Sequence, residues 1–308
     1  MAQSKKKYDV VIIGGGPAGL SAGIYTARAR LSTLLIERGG IGGQIINTEK
    51  VENYPGFTEG ISGIDLTQAM HQQATKFGVE TLYDEVTGIK VAGKRKTVVT
   101  AQGSYSTGAV IIAGGSDRLK LGVPGEKEFT GRGVSYCATC DGAFFRDKAV
   151  AVVGGGNAAT TEALELTKFA NKVILIHRRN ELRATKIMQE KVKANPKIKI
   201  SWDTVVLEII GNKAVEKLKL QNVKTKKEST LVVSGVFISV GSQPATGYLK
   251  GMLKLDNVGS IVTDDKLETS VPGIFAAGDI RSGSIRQVVS AAGDGAIAAV
   301  NAGKYISE

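Results

Sequence analysis

The sequence has few cysteines, few prolines and no long apolar run, so it lacks the features of small disulfide-rich secreted proteins, of collagens and of membrane-spanning proteins. It contains two cysteines and six prolines among 308 residues, and aromatic residues make up 6%. Two cysteines cannot build a disulfide scaffold, and no Gly-X-Y period accompanies the prolines, so both of those classes are excluded. No run approaches the roughly 18 to 20 apolar residues that span a bilayer. At about 150 residues per domain, the length indicates about two folded domains.

The charge balance is basic, but the basic residues do not form the pattern of a nucleic-acid groove. Lysine and arginine number 40 against 29 acidic residues, which gives a net charge of +11. The lysines are scattered and few aromatic residues lie among them, so we predict no nucleic-acid partner. The short apolar run 10–13 leads directly into three glycines, unlike a signal peptide, and we predict a cytoplasmic protein with no membrane partner.

Glycine is the residue in excess, and it marks an internal repeat. The 39 glycines among 308 residues are about 13% of the chain, against an average of about 7%. The segment 9–19, DVVIIGGGPAG, recurs at 148–159 as KAVAVVGGGNAA. Each copy predicts a buried parallel strand, a glycine turn and a helix, followed by a second apolar strand at 33–37 or 172–177.

Two such units predict two dinucleotide sites in an α/β protein with two Rossmann-like domains. The glycines permit a tight turn and a close approach of backbone to pyrophosphate, and the helix start offers unpaired N–H groups. Gly-rich turns that merely complete an α/β sheet are the alternative. The predicted contact residues are Gly14, Gly16, Pro17, Ala18 and Gly19 in the first copy, and Gly154, Gly156, Asn157, Ala158 and Ala159 in the second.

The residues after each second strand distinguish the two ligands. Glu37 ends the strand of the first copy, where a carboxylate accepts hydrogen bonds from ribose hydroxyls and repels a 2′-phosphate. The second copy has His177, Arg178 and Arg179, with Arg183 one helical turn further on. Guanidinium groups suit a phosphate, so we predict NADP(H) at the second site; a solvated basic helix start is the alternative.

A third glycine feature lies near the end of the sequence. An apolar strand stops at Gly278 and leaves Asp279 at its carboxyl end, where ligands of open α/β sheets bind and a carboxylate can hold a polyol. A helix of small residues is predicted over 287–302, and its positive end could stabilise negative charge on a redox ring. The same segment could simply complete the sheet.

Cys137 and Cys140 form a Cys-x-x-Cys pair, which is compatible with a zinc half-site, a structural disulfide or a redox dithiol. Zinc needs about four ligands, yet the histidines are only His71 and His177, so we predict no metal. A structural bridge closing so small a loop in a reducing compartment would constrain little, which favours the redox dithiol. Exchange also needs a proton source, and Asp141 is the adjacent titratable group, with helix capping as its alternative.

Together these motifs resemble the low-molecular-weight thioredoxin reductases of bacteria and archaea, over nearly the whole chain. The most specific part is CATCDG at 137–142, just before the second glycine motif. The resemblance implies FAD in the first fold and NADPH in the second, with the NADPH domain inserted into the FAD domain in a three-layer α/β architecture. Further cofactor contacts that it implies are Arg38, Gly43, Gln44, Asn53, Gly278, Asp279, Arg286 and Gln287.

The resemblance also implies how the chain is divided and how it works. The FAD domain would comprise 1–117 and 246–308, and the NADPH domain 118–245. A homodimer is implied, in which Cys140 faces the flavin, Cys137 attacks the disulfide of thioredoxin or a thioredoxin-like protein, and Asp141 is the acid/base. Nicotinamide and dithiol belong to the same domain, so we expect that domain to swing about connections near 115–120 and 242–248. The positive net charge predicts an acidic protein partner.

Two other functions are compatible with parts of this pattern. One is a flavin dithiol enzyme of the same fold that uses another electron donor or acceptor, such as a ferredoxin-linked reductase or a dithiol oxidase; the arginine cluster argues against it. The other is a non-catalytic basic protein that merely carries nucleotides, which would contain no flavin when purified.

Overall fold

The computed structural model describes residues 7–48 and 50–308. The chain divides into two compact units, and the second is inserted into the first. The first unit comprises the chain up to Asp117 together with Gln243–Glu308, and the second unit is Arg118–Ser242. The sequence-based prediction places the second boundary slightly later, after residue 245. Within the described residues, no helix is both long and apolar enough to cross a bilayer.

The α-helices and strands alternate along much of the chain, with single 3-10 turns between some of them. The α-helices are α1 (Pro17–Arg28), α2 (Gly63–Lys76), α3 (Ala138–Asp141), α4 (Asn157–Leu166), α5 (Lys186–Ala194) and α6 (Val288–Ser307). The strands are β1 (Lys7–Ile13), β2 (Thr33–Glu37), β3 (Glu80–Tyr83), β4 (Val86–Ala92), β5 (Arg95–Thr100), β6 (Ser104–Ile112), β7 (Ser116–Arg118), β8 (Val134–Ser135), β9 (Ala149–Val153), β10 (Lys172–Ile176), β11 (Ile198–Ser201), β12 (Thr204–Gly211), β13 (Val215–Asn222), β14 (Glu228–Val232), β15 (Gly235–Ile238), β16 (Ser242–Pro244) and β17 (Ile274–Ala276).

The first unit is built on a sheet with the strand order β3-β2-β1-β6-β5-β4, and β17 also pairs with β6. Strands β1, β2, β3, β6 and β17 run parallel, whereas β4 and β5 form an antiparallel extension. Alternate residues of β1 enter two separate cores: Val10 and Ile12 pack with α1, α2 and α6, and Val11 and Ile13 pack with the segment around Leu249. Burial on both faces explains the continuous apolar runs in the sequence.

The second unit repeats this plan on a smaller scale. Its five-stranded parallel sheet has the order β11-β10-β9-β15-β8, and a separate antiparallel sheet is formed by β12, β13 and β14. Val150 and Val152 pack towards α4, while Ala151 and Val153 share a core with residues of β12 and β13. The predicted α/β class with two Rossmann-like folds is confirmed, and each strand-turn-helix copy of the sequence repeat contributes its strand, β1 or β9, to the parallel part of one of the two main sheets.

Candidate functional site

The first glycine turn, between β1 and α1, is tightly packed on one side and open on the other. Gly14 has φ +108°, and a Cβ atom there would lie 2.3 Å from Ala113 O. A Cβ at Gly19 would lie 1.9 Å from Gly14 O, so this glycine lets α1 pack on the turn. At Gly16, by contrast, the nearest atom to a Cβ would be Gly43 Cα at 3.9 Å. The space beside Gly16 therefore fits a ligand that approaches the backbone, as a pyrophosphate does.

The carboxylate of Glu37 is held against this turn. Its Oε2 accepts a hydrogen bond from Gly15 N at 2.7 Å, and its Oε1 accepts one from Gly39 N at 2.8 Å. α1 begins at Pro17 with no side chain capping its first turn, so the backbone N–H groups there remain available to an anion. Ala18, in the first turn of α1, is buried. The predicted residues of the first motif thus lie together at the carboxyl end of the sheet.

The C-terminal part of the first unit contributes a second set of predicted residues. Asp279 follows β17, and burial raises the pKa of its carboxyl group. Asn53 Nδ2 donates to Gln287 Oε1 at 2.8 Å, and Gln287 caps the start of α6. The structure therefore brings Asn53 and Gln287 together from positions far apart in the sequence.

Three further predicted residues have polar partners within the first unit. Arg38 forms an ion pair with Asp117, and Gln44 Nε2 donates to Ser116 O at 3.4 Å. Arg286 has φ +59°, and its N–H donates to Ser284 Oγ at 3.2 Å. These contacts fix the loops that flank the glycine turn and the start of α6.

Sequence reasoning missed the ion pair that supports Gly278. Arg281 Nε and Nη2 donate to Asp294 Oδ2 and Oδ1 at 2.6 and 2.8 Å, and Gly278 N also donates to Asp294 Oδ2 at 3.0 Å. Asp294 is buried on α6. The available signal was that Asp294 is the one carboxylate in an otherwise small and apolar helical segment, and such a residue needs a partner when it is buried.

The second glycine turn, between β9 and α4, has the same division into packed and open positions. Gly154 has φ +153°, and a Cβ there would lie 2.2 Å from Ser239 O. A Cβ at Gly155 would lie 2.3 Å from the His177 ring, whereas at Gly156 a Cβ would meet nothing within 4 Å. Asn157 Oδ1 accepts a hydrogen bond from Thr185 N at 2.8 Å and so anchors the chain that follows the arginines.

The four basic residues predicted beside this turn separate into two roles. Arg178, Arg179 and Arg183 line an open cavity of about 630 Å³. His177 does not line it: the ring is 4% exposed and packs beneath Gly155, and its Nε2 is buried with no hydrogen-bond partner among the described residues. Burial lowers the pKa of His177, and the neighbouring arginines lower it further. The histidine ring supports the turn, and the three guanidinium groups face the cavity.

The two cysteines are joined by a disulfide whose Cα atoms are 5.4 Å apart. Cys137 precedes α3, and its Sγ accepts a hydrogen bond from Cys140 N at 3.1 Å, while Cys137 N donates to Ser135 Oγ at 3.0 Å. Cys140 is exposed and Asp141 is half-buried, with no capping hydrogen bond from the Asp141 side chain. Across residues 7–48 and 50–308, no group of His, Cys, Asp and Glu is arranged to hold a metal.

Two features near the disulfide and α4 lie outside the sequence-based predictions. Phe144 is 73% exposed, four residues after Cys140, whereas its neighbour Phe145 is buried; the sequence gave no sign of which of the two would face solvent. Glu162 on α4 is buried, and its Oε1 accepts a hydrogen bond from Arg118 Nη1 at 2.6 Å. Its Oε2 has no hydrogen-bond partner within the described part of the chain. Burial outweighs the arginine and raises the pKa of Glu162 to about 7.

Comparison with known proteins gives consistent matches over the whole length. The family profile described as pyridine nucleotide-disulphide oxidoreductase matches residues 8–295. The thioredoxin reductase of Listeria innocua is 48% identical over 309 residues, which cover 100% of this chain and 97% of that protein. The crystal structure of Lactococcus lactis thioredoxin reductase matches with 46% identity and a TM-score of 0.95, covering 97% of this chain and 99% of that one. The structure of T. acidophilum thioredoxin reductase matches with 36% identity and a TM-score of 0.92, with the same coverage.

Proposed function

Because the chain belongs to the pyridine nucleotide-disulphide oxidoreductase family, we propose that it is an NADPH-dependent thioredoxin reductase. The observation that carries this proposal is an accessible Cys137–Cys140 disulfide in the same unit as a nucleotide turn and an arginine-lined cavity. The cofactors are FAD and NADPH. When bound, NADPH supplies a hydride and FAD passes the two electrons on to a disulfide.

In the first unit, the residues present fit FAD. The open space at Gly16 and the uncapped start of α1 suit the pyrophosphate, and Glu37 suits the adenosine ribose. Asp279 would hold polyol hydroxyls, and Gln287 at the start of α6 would lie beside the redox ring. In the second unit, Gly156 would lie against the pyrophosphate of NADPH, and the three arginines around the cavity would bind its 2′-phosphate.

The chemistry of the chain's own residues is disulfide exchange. The Cys137–Cys140 bond accepts two electrons and two protons and becomes a dithiol. The Cys137 thiolate then attacks the disulfide of the partner and forms a mixed disulfide, while one partner sulfur leaves with a proton. Cys140 resolves the mixed disulfide, so the partner leaves as a dithiol and the enzyme disulfide is restored. Asp141, next to Cys140 in the sequence, is the proposed source and acceptor of the proton.

The partner is thioredoxin or a thioredoxin-like protein. The basic surface that follows from the net charge of +11 would speed association with an acidic partner. Phe144 is exposed beside the disulfide and offers an apolar contact for such a protein. The dithiol and the NADPH cavity belong to one unit while the FAD turn belongs to the other, so turnover would require the inserted unit to swing about its two connections.

A homodimer in the cytoplasm completes the proposal. The first unit carries a cavity of about 510 Å³ between α1 and α6, with Tyr25 and Val300 among its lining residues. These two side chains are 49% and 48% exposed, and exposed apolar patches on soluble domains often mark protein interfaces. A reducing compartment disfavours a permanent structural disulfide, which fits a Cys137–Cys140 pair that alternates between dithiol and disulfide during turnover.

A coupled assay tests the proposed function. The purified protein should be yellow, and it should oxidise NADPH in the presence of an oxidised thioredoxin from the same organism, with NADH much less effective. Cys137→Ser and Cys140→Ser should each give a folded yellow protein that no longer reduces thioredoxin. A colourless protein, or thioredoxin reduction retained by either variant, would refute the proposal.

A further inference from the structure

The arginine-lined cavity of the second unit has another wall that comes from later parts of the chain. Asp203, between β11 and β12, and Lys224, in the turn between β13 and β14, both line it. Asp203 N donates to Arg179 O at 3.2 Å, and Val223 N donates to Asp203 O at 2.7 Å. These backbone hydrogen bonds hold the second wall in a fixed position relative to the arginine loop.

Lys224 and Asp203 form an ion pair at the cavity. Lys224 Nζ lies 2.9 Å from Asp203 Oδ2, with 60% of the lysine side chain and 16% of the aspartate side chain exposed. Asn222 Oδ1 accepts hydrogen bonds from the N–H groups of Lys224 and Thr225 at 3.0 and 2.9 Å, which fixes the turn that carries the lysine. The ammonium group is therefore positioned at the cavity, and the carboxylate beside it is largely shielded from water.

The charges of Lys224 and Asp203 indicate how this ion pair would affect the binding of a nucleotide. An unpaired carboxylate in the cavity would repel a 2′-phosphate and could accept a hydrogen bond from a free ribose hydroxyl, as acidic residues do in NAD sites. Lys224 pairs with the Asp203 carboxylate and adds a fourth basic group to the three arginines, while Glu181 is the other acidic residue of the lining. We propose that Lys224 is a specificity-determining residue that masks Asp203 and thereby favours NADPH over NADH.

The inference rests on the proposed use of NADPH, and direct binding can test the two separately. The probes are adenosine 2′,5′-bisphosphate and 5′-AMP, titrated by calorimetry into the purified flavoprotein at low salt. Lys224→Ala should weaken binding of the bisphosphate by roughly 5- to 20-fold, since a charged interaction is lost and a carboxylate is exposed, and should change 5′-AMP binding less than twofold.

Lys219→Ala is the matched control. Lys219 makes an ion pair of the same 2.9 Å length with Glu228 on the same hairpin, outside the cavity lining. We expect this variant to bind both probes as the unmodified protein does. An equal loss of bisphosphate binding in both variants would mean that general surface charge, and not the position of Lys224, is responsible, and would overturn the inference.

The double variant Asp203→Asn/Lys224→Ala tests the masking. Asp203 has φ +51°, and asparagine tolerates this left-handed conformation, so the change removes charge without straining the backbone. It should recover at least half of the loss seen in Lys224→Ala on a logarithmic scale. No recovery would overturn the masking role, and unchanged bisphosphate binding in Lys224→Ala would overturn the whole inference. Equal binding of both probes by the unmodified protein would refute the NADPH assignment itself.

Discussion

Alanine at Gly156 should abolish tight NADPH binding without unfolding the protein. Gly156 has φ −95° and ψ −177°, a backbone conformation open to any residue, and a Cβ there meets no protein atom within 4 Å. The change in unfolding free energy should therefore stay within about 1 kcal/mol, because the gain from a less flexible unfolded chain and the weaker helix capping by alanine nearly cancel. Any requirement for glycine at this position therefore comes from the space that the bound ligand needs, and not from the fold.

The same methyl group should be costly in the complex. It would occupy space that the pyrophosphate needs beside the turn, and overpacking of this kind costs about 1.5 to 3 kcal/mol, or roughly a 10- to 150-fold rise in Kd. The measurement is calorimetric titration of NADP⁺ into the flavoprotein. Binding of NADP⁺ within twofold of the unmodified affinity would refute the assignment of Gly156 to the pyrophosphate.

Gly154→Ala is the comparison variant for stability. Gly154 has φ +153°, and its Cβ would lie 2.2 Å from Ser239 O, so the backbone must move by about 1 Å and unfolding should become easier by about 3 kcal/mol or more. Urea denaturation followed by the fluorescence of Trp202, the single tryptophan of the chain, reports on the second unit. Equal destabilisation by the two variants would show that the packed and open sides of the turn are wrongly identified.

Three further predictions concern pH, partner binding and assembly. Burial raises the pKa of Glu162 from 4.5 to about 7 in the folded state. The contribution of this carboxyl group to the unfolding free energy is therefore fully present below pH 4.5 and is lost as the pH rises through 7. In Glu162→Gln, the unfolding free energy measured by urea denaturation should change less between pH 5 and 8 than in the unmodified protein, by up to about 3 kcal/mol. An unchanged dependence of the unfolding free energy on pH would contradict this. Phe144→Ala should raise the KM for thioredoxin several-fold at constant KM for NADPH; equal changes in both would exclude a role in docking. If the proposed dimer forms through the α1–α6 face, Val300→Asp should lower the sedimentation coefficient to that of a monomer in analytical ultracentrifugation, and an unaltered coefficient would be the contrary result.

The local parts of the site were predictable because they depend on short-range rules. Strand β2 coincides with the predicted 33–37, and α6 begins one residue after the predicted 287. A glycine motif between an apolar strand and a helix carries its own geometric reason, since Gly14 and Gly154 both adopt positive φ and lie against a backbone carbonyl. The spacing of Cys137 and Cys140 also predicted a local pair, and the structure joins them.

Two residues show what local reasoning could not distinguish. His177 and Arg178 are adjacent in the sequence and are both basic, yet the histidine is buried beneath Gly155 and the arginine lines the cavity. Successive residues at the end of a strand point in opposite directions, and only the packing around them decides which direction is solvent. Sequence reasoning assigned both to the NADP(H) site.

The sequence by itself determined the two nucleotide folds, the glycine turns and the dithiol, because each follows from periodicity and spacing within some thirty residues. The tertiary structure alone decided which distant groups complete these sites. Asp294 supports Gly278 across 16 positions, Gln287 meets Asn53 across 234, and Lys224 joins the arginine cavity through Asp203. Such contacts depend on how the chain packs after its elements have formed, and no local pattern specifies them.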